Sequence, residues 1–121
     1  ELVAGGRLAE VGGIARVLDV SDEAAFTDAI KSIVSTDGEL AYLVNNAGIG
    51  IFKKILHTTD QDWDQMMSTN VRSAFLCTRE VLPGMIEAKG GRIVSMISDA
   101  GRIGEARYAV YGGAKAGVLG F

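Results

Sequence analysis

Residues 40–48 read LAYLVNNAG. Five apolar residues in a row show no alternation, so both faces of the segment are expected to be covered. Such a run marks a strand in a parallel sheet. The residues that follow are small or amidic. Ala47 and Gly48 permit close backbone approach by a flat or charged ligand, and the amides of Asn45 and Asn46 can tie neighbouring loops. Read alone, NNAG is also an ordinary turn.

Working outward, GGRIVSMIS at 90–98 repeats the pattern as a turn followed by a buried strand, and IARVL at 14–18, closed by Asp19, reads as a third. Helical patterns fill the gaps. RLAEV at 7–11 reads as the end of a helix stopped by Gly12-Gly13. A second helix starts with Ser21 as N-cap and places Ala25, Ile30, Ile33 and Val34 on one face. A long helix starts at Thr59, where Thr59 and Asp62 match a capping box. Trp63, Met66, Met67, Val71, Phe75, Leu76 and Val81 follow at helical spacing, and Pro83 is expected to kink or end it. A loop, DAGRIGEARY, leads into a last helix carrying YGGAKAGVLGF. Helices alternating with strands indicate an α/β domain over residues 1–121 with a parallel sheet.

Composition narrows the function classes. Of 121 residues, 48% are apolar, which supports a core and argues against disorder. The net charge of −3 and the lack of a basic block disfavour nucleic acid and acidic lipid. One cysteine, Cys77, and one histidine, His57, make neither an internal disulfide nor a zinc set, so no metal site is expected. No run is long enough for a membrane span, and ELVAGGRLAE lacks the features of a signal peptide. A cytoplasmic protein is the expectation. Cys77, Trp63, Met66 and Met67 read as core; His57, Lys53 and Lys54 read as surface.

The chemistry-bearing residues are spaced for proton transfer. Tyr111 lies four positions ahead of Lys115, so the two share a helix face. A cation beside a phenol stabilises the phenolate and eases proton exchange with a carbonyl or alcohol oxygen. Gly112, Gly113 and Ala114 leave room for something large against this helix. An ordinary solvated Tyr–Lys pair has the same spacing. Ser98 falls at the carboxyl end of a buried strand, where α/β sheets place ligands; a hydroxyl there also caps turns. Asn70 sits inside the long helix despite poor propensity, and is either exposed and idle or used in a hydrogen-bond network.

NNAG at 45–48, Asn70 in STNVRSAF, Ser98 in GGRIVSMIS and YGGAK together resemble the short-chain dehydrogenase/reductase family, in its single-domain branch. DVSD at 19–22 resembles the family's segment beside the adenine. Within the family, SDAGRIG is similar to ring-hydroxyacyl-CoA dehydrogenases and YGGAKAGVLGF to 3-oxoacyl-acyl-carrier-protein reductases. The resemblance implies a Rossmann-type doubly wound parallel sheet and an NAD- or NADP-dependent oxidoreductase acting on a carbonyl or secondary alcohol. It implies that Tyr111 is the general acid or base and that Ser98 holds the substrate oxygen. Lys115 would bind the nicotinamide ribose and make the Tyr111 proton labile, and Asn70 would hold a relay water. Asn46, Ala47 and Gly48 would line the ribose and adenine side, with Asp19 and Val20 near the adenine.

The family's glycine-rich phosphate loop is not found, and the chain reads as a middle segment of such a fold. In the order 3-2-1-4-5-6 it would supply strands 3, 4 and 5, leaving unpaired edges at 14–18 and 40–44. Weak cofactor binding by these residues alone, or a need for partner segments, follows, and a non-catalytic interaction module is the alternative. Arg102 and Arg107 could meet an acidic thioester or remain solvated loop charges. The resemblance also implies a homodimer or homotetramer through the long helix and the Tyr111 helix.

Overall fold

The computed structural model describes residues 10–121. Gly5-Gly6 and most of the helix expected to end at Val11 lie outside the described residues. Glu10 is helical, and Gly12 follows at φ 72°, a left-handed conformation suited to glycine at a helix end.

The elements run α1 (Glu23–Asp37), β1 (Tyr42–Asn45), a 3-10 turn (Ile55–His57), α2 (Asp60–Met67), a π turn (Ser68–Arg72), α3 (Ser73–Glu87), β2 (Arg92–Ser95), α4 (Ala100–Ile103) and α5 (Ala109–Gly120). The strands β1 and β2 are parallel neighbours, with Tyr42 opposite Arg92 and Asn45 opposite Ser95. The α2–α3 crossover between them is what a parallel pair requires. Leu43, Asn45, Ile93 and Ser95 share the less exposed, helix-facing side. Asn45 Nδ2 donates to Thr78 Oγ1 on α3 and to Ser95 Oγ on β2, each at 3.2 Å. The core beneath includes Met66, Ala74, Leu76, Cys77, Val81, Met85, Ala114 and Val118.

Two strand expectations are corrected. Segment 14–18 joins no ladder, and Val17 is 91% exposed. A strand exists only through a hydrogen-bonding neighbour, and no described segment pairs with this one. The runs at 40–44 and 92–96 are not covered on both faces either: Tyr42, Val44 and Val94 are exposed on the side opposite the helices. An apolar run encodes what a face is suited to, not whether a layer covers it.

The caps separate two cases. Ser21 does not cap α1, because its hydroxyl donates to the Asp19 carboxylate at 2.7 Å; Asp22 caps instead, accepting from Ala25 N at 3.1 Å. The α2 capping box forms as expected, with Asp62 N donating to Thr59 Oγ1 at 3.1 Å and Thr59 N to Asp62 Oδ2 at 2.9 Å. Pro83 does not end α3, which continues to Glu87. Pro83 is exposed, so the carbonyl that loses an intrahelical donor can turn to water. Trp63, expected in the core, is half-exposed, while Met66 beside it is fully buried.

Candidate active site

Helix α5 presents Tyr111 and Lys115 on one face. Lys115 is buried, and its ammonium donates to the Met96 carbonyl just past β2 at 2.8 Å. An ammonium has three donors, and this is the one hydrogen bond Lys115 Nζ makes among the described residues. Its Nζ lies 6.0 Å from the Tyr111 ring centroid. The spacing of YGGAK therefore produces a buried amine beside a half-buried phenol, not a solvated pair.

Asn70 is buried within the π turn and makes three hydrogen bonds. Its Nδ2 donates to Ile49 O at 3.0 Å and to Met66 O at 2.9 Å, while its Oδ1 accepts from Ile49 N at 3.1 Å. One amide thus clamps both backbone groups of Ile49 and fixes the loop after NNAG against the helix. Gly48 is forced by this arrangement: a Cβ there would lie 2.6 Å from Asn70 Oδ1 and 3.5 Å from Lys115 Nζ. The π turn widens the backbone where Asn70 points inward, a local feature often found at functional sites.

Small residues hold α4 against α5. A Cβ on Gly112 would meet the Ala100 carbonyl at 2.8 Å, and one on Gly101 would meet Ala116 N and Lys115 C at 2.7 Å. The bare gap in YGGAK is thus partly filled by the chain itself, which revises the expectation that Gly112 leaves space for a ligand. Gly113, by contrast, faces open space.

A cavity of about 320 Å³ gathers Asn46, Gly48, Asn70, Tyr111, Lys115 and Phe52. Of the other expected site residues, Asp19, Val20, Ala47 and Ser98 do not line it. The Ser98 hydroxyl accepts from Ala100 N at 3.3 Å at the start of α4. The Asp19 carboxylate accepts from Ser21 Oγ and N, and these hydrogen bonds hold it below the usual carboxylate range.

Phe52 carries no signal in the sequence, yet it belongs to the site. Its ring stacks on Tyr108 at 4.4 Å and meets the edge of Tyr111 at 5.5 Å, and Tyr108 and Tyr111 are themselves 5.8 Å apart. Phe52 and Tyr108 together wall one side of the Tyr111 phenol. No spacing rule links position 52 to positions 108 and 111, so only the folded chain shows the cluster. Among the described residues, no group of His, Cys, Asp and Glu is placed to hold a metal, and no helix is long and apolar enough to cross a membrane.

The family model for short chain dehydrogenases matches residues 7–121. The chain belongs to that family. It is 35% identical over 105 residues to the 3-oxoacyl-[acyl-carrier-protein] reductase FabG of Salmonella typhimurium, covering 87% of this chain and 43% of the relative. The FabG of Vibrio cholerae is 36% identical over 109 residues, covering 90% and 45%. The solved structure of ElxO with NADP bound superimposes with a TM-score of 0.88 at 33% identity, covering 92% of this chain and 45% of that one. A Y152F form of ElxO with NADPH bound matches equally well, with a TM-score of 0.88 at 32% identity. The chain thus spans less than half the length of these relatives and forms an incomplete Rossmann-type α/β fold.

Proposed function

We propose that this chain carries the acid/base centre of an NAD(P)-dependent oxidoreductase that interconverts a carbonyl and a secondary alcohol. The observation that carries the reading is the convergence of Tyr111, Lys115, Asn70 and Gly48 on one cavity. Tyr111 gives its proton to the carbonyl oxygen in reduction and takes it back in oxidation. Lys115, held by Met96 O, stabilises the phenolate left behind. Asn70 keeps the backbone at Ile49 in register with the end of α2 beside them. Ser98 is assigned the substrate oxygen: accepting from Ala100 N leaves its O–H free to donate to that oxygen.

The residues present fit the nicotinamide end of a dinucleotide. A buried amine with donors to spare faces a backbone wall that has no side chain at Gly48, which suits a sugar bearing neighbouring hydroxyls. When bound, the nicotinamide supplies or accepts the hydride. Asn46, Ala47 and Gly48 are assigned to its ribose side, and Asp19 and Val20 to the adenine. No glycine-rich loop at a helix N-terminus occurs among the described residues, so the fit does not extend to the phosphates.

The FabG relatives favour a 3-oxoacyl or hydroxyacyl thioester as substrate, and the ElxO structures favour NADP. Exposed Phe75 and Leu82 on α3, with Leu119 on α5 and Phe121 just beyond it, support association through these helices as a homodimer or homotetramer.

The test grafts residues 1–121 in place of the matching stretch of the Salmonella reductase and follows reduced-nicotinamide absorbance with a 3-oxoacyl thioester. Turnover is expected, and Tyr111→Phe should reduce it by about 10²–10⁴-fold. Full turnover in the Phe variant would remove the acid role. The two-stranded sheet, with no phosphate loop among the described residues, favours a second reading, in which the 121 residues alone act as a non-catalytic module. In that case the isolated chain shows neither turnover nor NADPH binding, while the graft shows both.

A further inference from the structure

We propose that a second cavity, adjoining the first at Phe52, is a subsite for a carboxylate or phosphate group. It has a volume of about 270 Å³ and is lined by Phe52, Lys53, Lys54, His57 and Arg107. Phe52 lines both cavities, so the two meet at this residue. Every lining residue except Phe52 is basic, and no carboxylate lines the cavity among the described residues.

The basic groups are not equivalent. Lys53 is already paired, its Nζ lying 2.7 and 2.8 Å from the two Asp62 oxygens. That pair ties the 52–54 segment to the α2 capping box and so holds Phe52 and Lys54 in place. The Lys54, His57 and Arg107 side chains make no hydrogen bond or ion pair among the described residues. Arg107 also adopts φ 70°, a left-handed conformation that non-glycine residues rarely take. A glycine would adopt it more easily, so the arginine sits there against local backbone preference. Two unpaired cations, Lys54 and Arg107, lining one cavity with an aromatic residue suit an anion carried on an apolar stem.

As the seat of a substrate's acidic end, the subsite rests on the carbonyl reading above; as an anion site it does not. The test therefore uses binding alone, on the full 121-residue chain without cofactor. The chain has one histidine, so the His57 ring resonances report on the cavity without ambiguity. Phenyl phosphate, benzoate and neutral benzyl alcohol are titrated separately. Saturable shifts are expected for the anions and none for the alcohol, with affinity falling as salt is raised; the stronger anion decides between a phosphate and a carboxylate end. The Lys54→Gln/Arg107→Gly double variant should bind about tenfold more weakly. Arg107→Gly relieves the backbone at φ 70°, so weaker binding cannot be assigned to a lost fold. Lys31→Gln, on α1, should bind as the parent does. Absent or non-saturating shifts, an equal response to benzyl alcohol, or unchanged affinity in the double variant would overturn the subsite. Anion binding without turnover in the graft would instead count against the carbonyl reading alone.

Discussion

Adjacent glycines in YGGAK should respond to alanine with opposite signs. In a helix interior, Gly→Ala gains about 1 kcal/mol from backbone entropy where the added methyl meets nothing. Gly113 is such a position: a methyl there would meet no atom within 4 Å. Gly112→Ala carries the same gain, but its methyl would lie 2.8 Å from the Ala100 carbonyl oxygen, a rigid backbone atom. Relief requires α4 to back away from α5 by roughly half an ångström, and overpacking of this kind costs about 1–3 kcal/mol. The two variants should therefore differ by about 2 kcal/mol, with Gly113→Ala stabilised by about 1 kcal/mol and Gly112→Ala neutral or destabilised. Urea denaturation of the 121-residue chain, followed by far-UV circular dichroism, reads the difference as a shift in midpoint at constant slope. The displacement also disturbs the Ala100 N–Ser98 hydrogen bond, so in the grafted enzyme Gly112→Ala should lower turnover while Gly113→Ala leaves it alone. Equal stabilisation of both variants would refute the close α4–α5 contact and restore Gly112 as open space.

Three further outcomes are expected. Asn70→Ala strands the part-buried backbone groups of Ile49 and should cost about 1–3 kcal/mol in the same denaturation experiment; a loss below about 0.5 kcal/mol would mean the clamp is not formed. Lys53, aided by the Thr59 backbone, pulls Asp62 from 3.8 down to about 2. A depressed acid stabilises the fold above its ordinary value and loses that contribution as pH falls through the folded one. The parent should thus lose stability between about pH 4 and pH 2, and Asp62→Asn should flatten that part of the profile; identical profiles would exclude the capping box as the source. Burial pushes the Cys77 thiol up to about 11, leaving roughly one thiolate in a thousand at pH 8. Ellman's reagent should therefore react far more slowly with the folded chain than in urea, and equal rates would place Cys77 at the surface.

What the sequence made legible was whatever depends on near neighbours. The Thr59–Asp62 box needs three residues and a helix start, and it formed. The Tyr111–Lys115 pair needs one turn of helix, and it formed. Asn70 stood out because asparagine has poor propensity inside a helix, which left exposed and networked readings open; its partners, Ile49 and Met66, were not legible, since one lies across the fold. Ser21 and Asp22 compete for one cap, and the contest was decided by Asp19, which engages the Ser21 hydroxyl. The strand at 14–18 failed for a different reason. Its apolar run was correct, but a ladder is a property of two segments. Phe52 was illegible because aromatic contact with Tyr108 and Tyr111 depends on the path of the intervening chain.

These differences separate two halves of the candidate site. Every restraint on the acid/base half lies inside one contiguous stretch: Lys115 on Met96 O, Asn70 on Ile49, Gly101 and Gly112 between α4 and α5, and Phe52 over the phenol. None of them runs through a sheet neighbour beyond β1 and β2. The segment assigned to the adenine, Asp19 and Val20, has no such anchoring among the described residues. It follows a stretch without a ladder, and the Asp19 carboxylate is engaged by Ser21 alone. On the proposed function, proton transfer would draw on local packing, whereas dinucleotide affinity would depend on how segment 14–20 is held. If that division is right, strengthening the anchoring of segment 14–20 changes cofactor affinity and leaves the Tyr111–Lys115 geometry untouched. A coupled response of both would show that the cavity depends on the sheet as a whole.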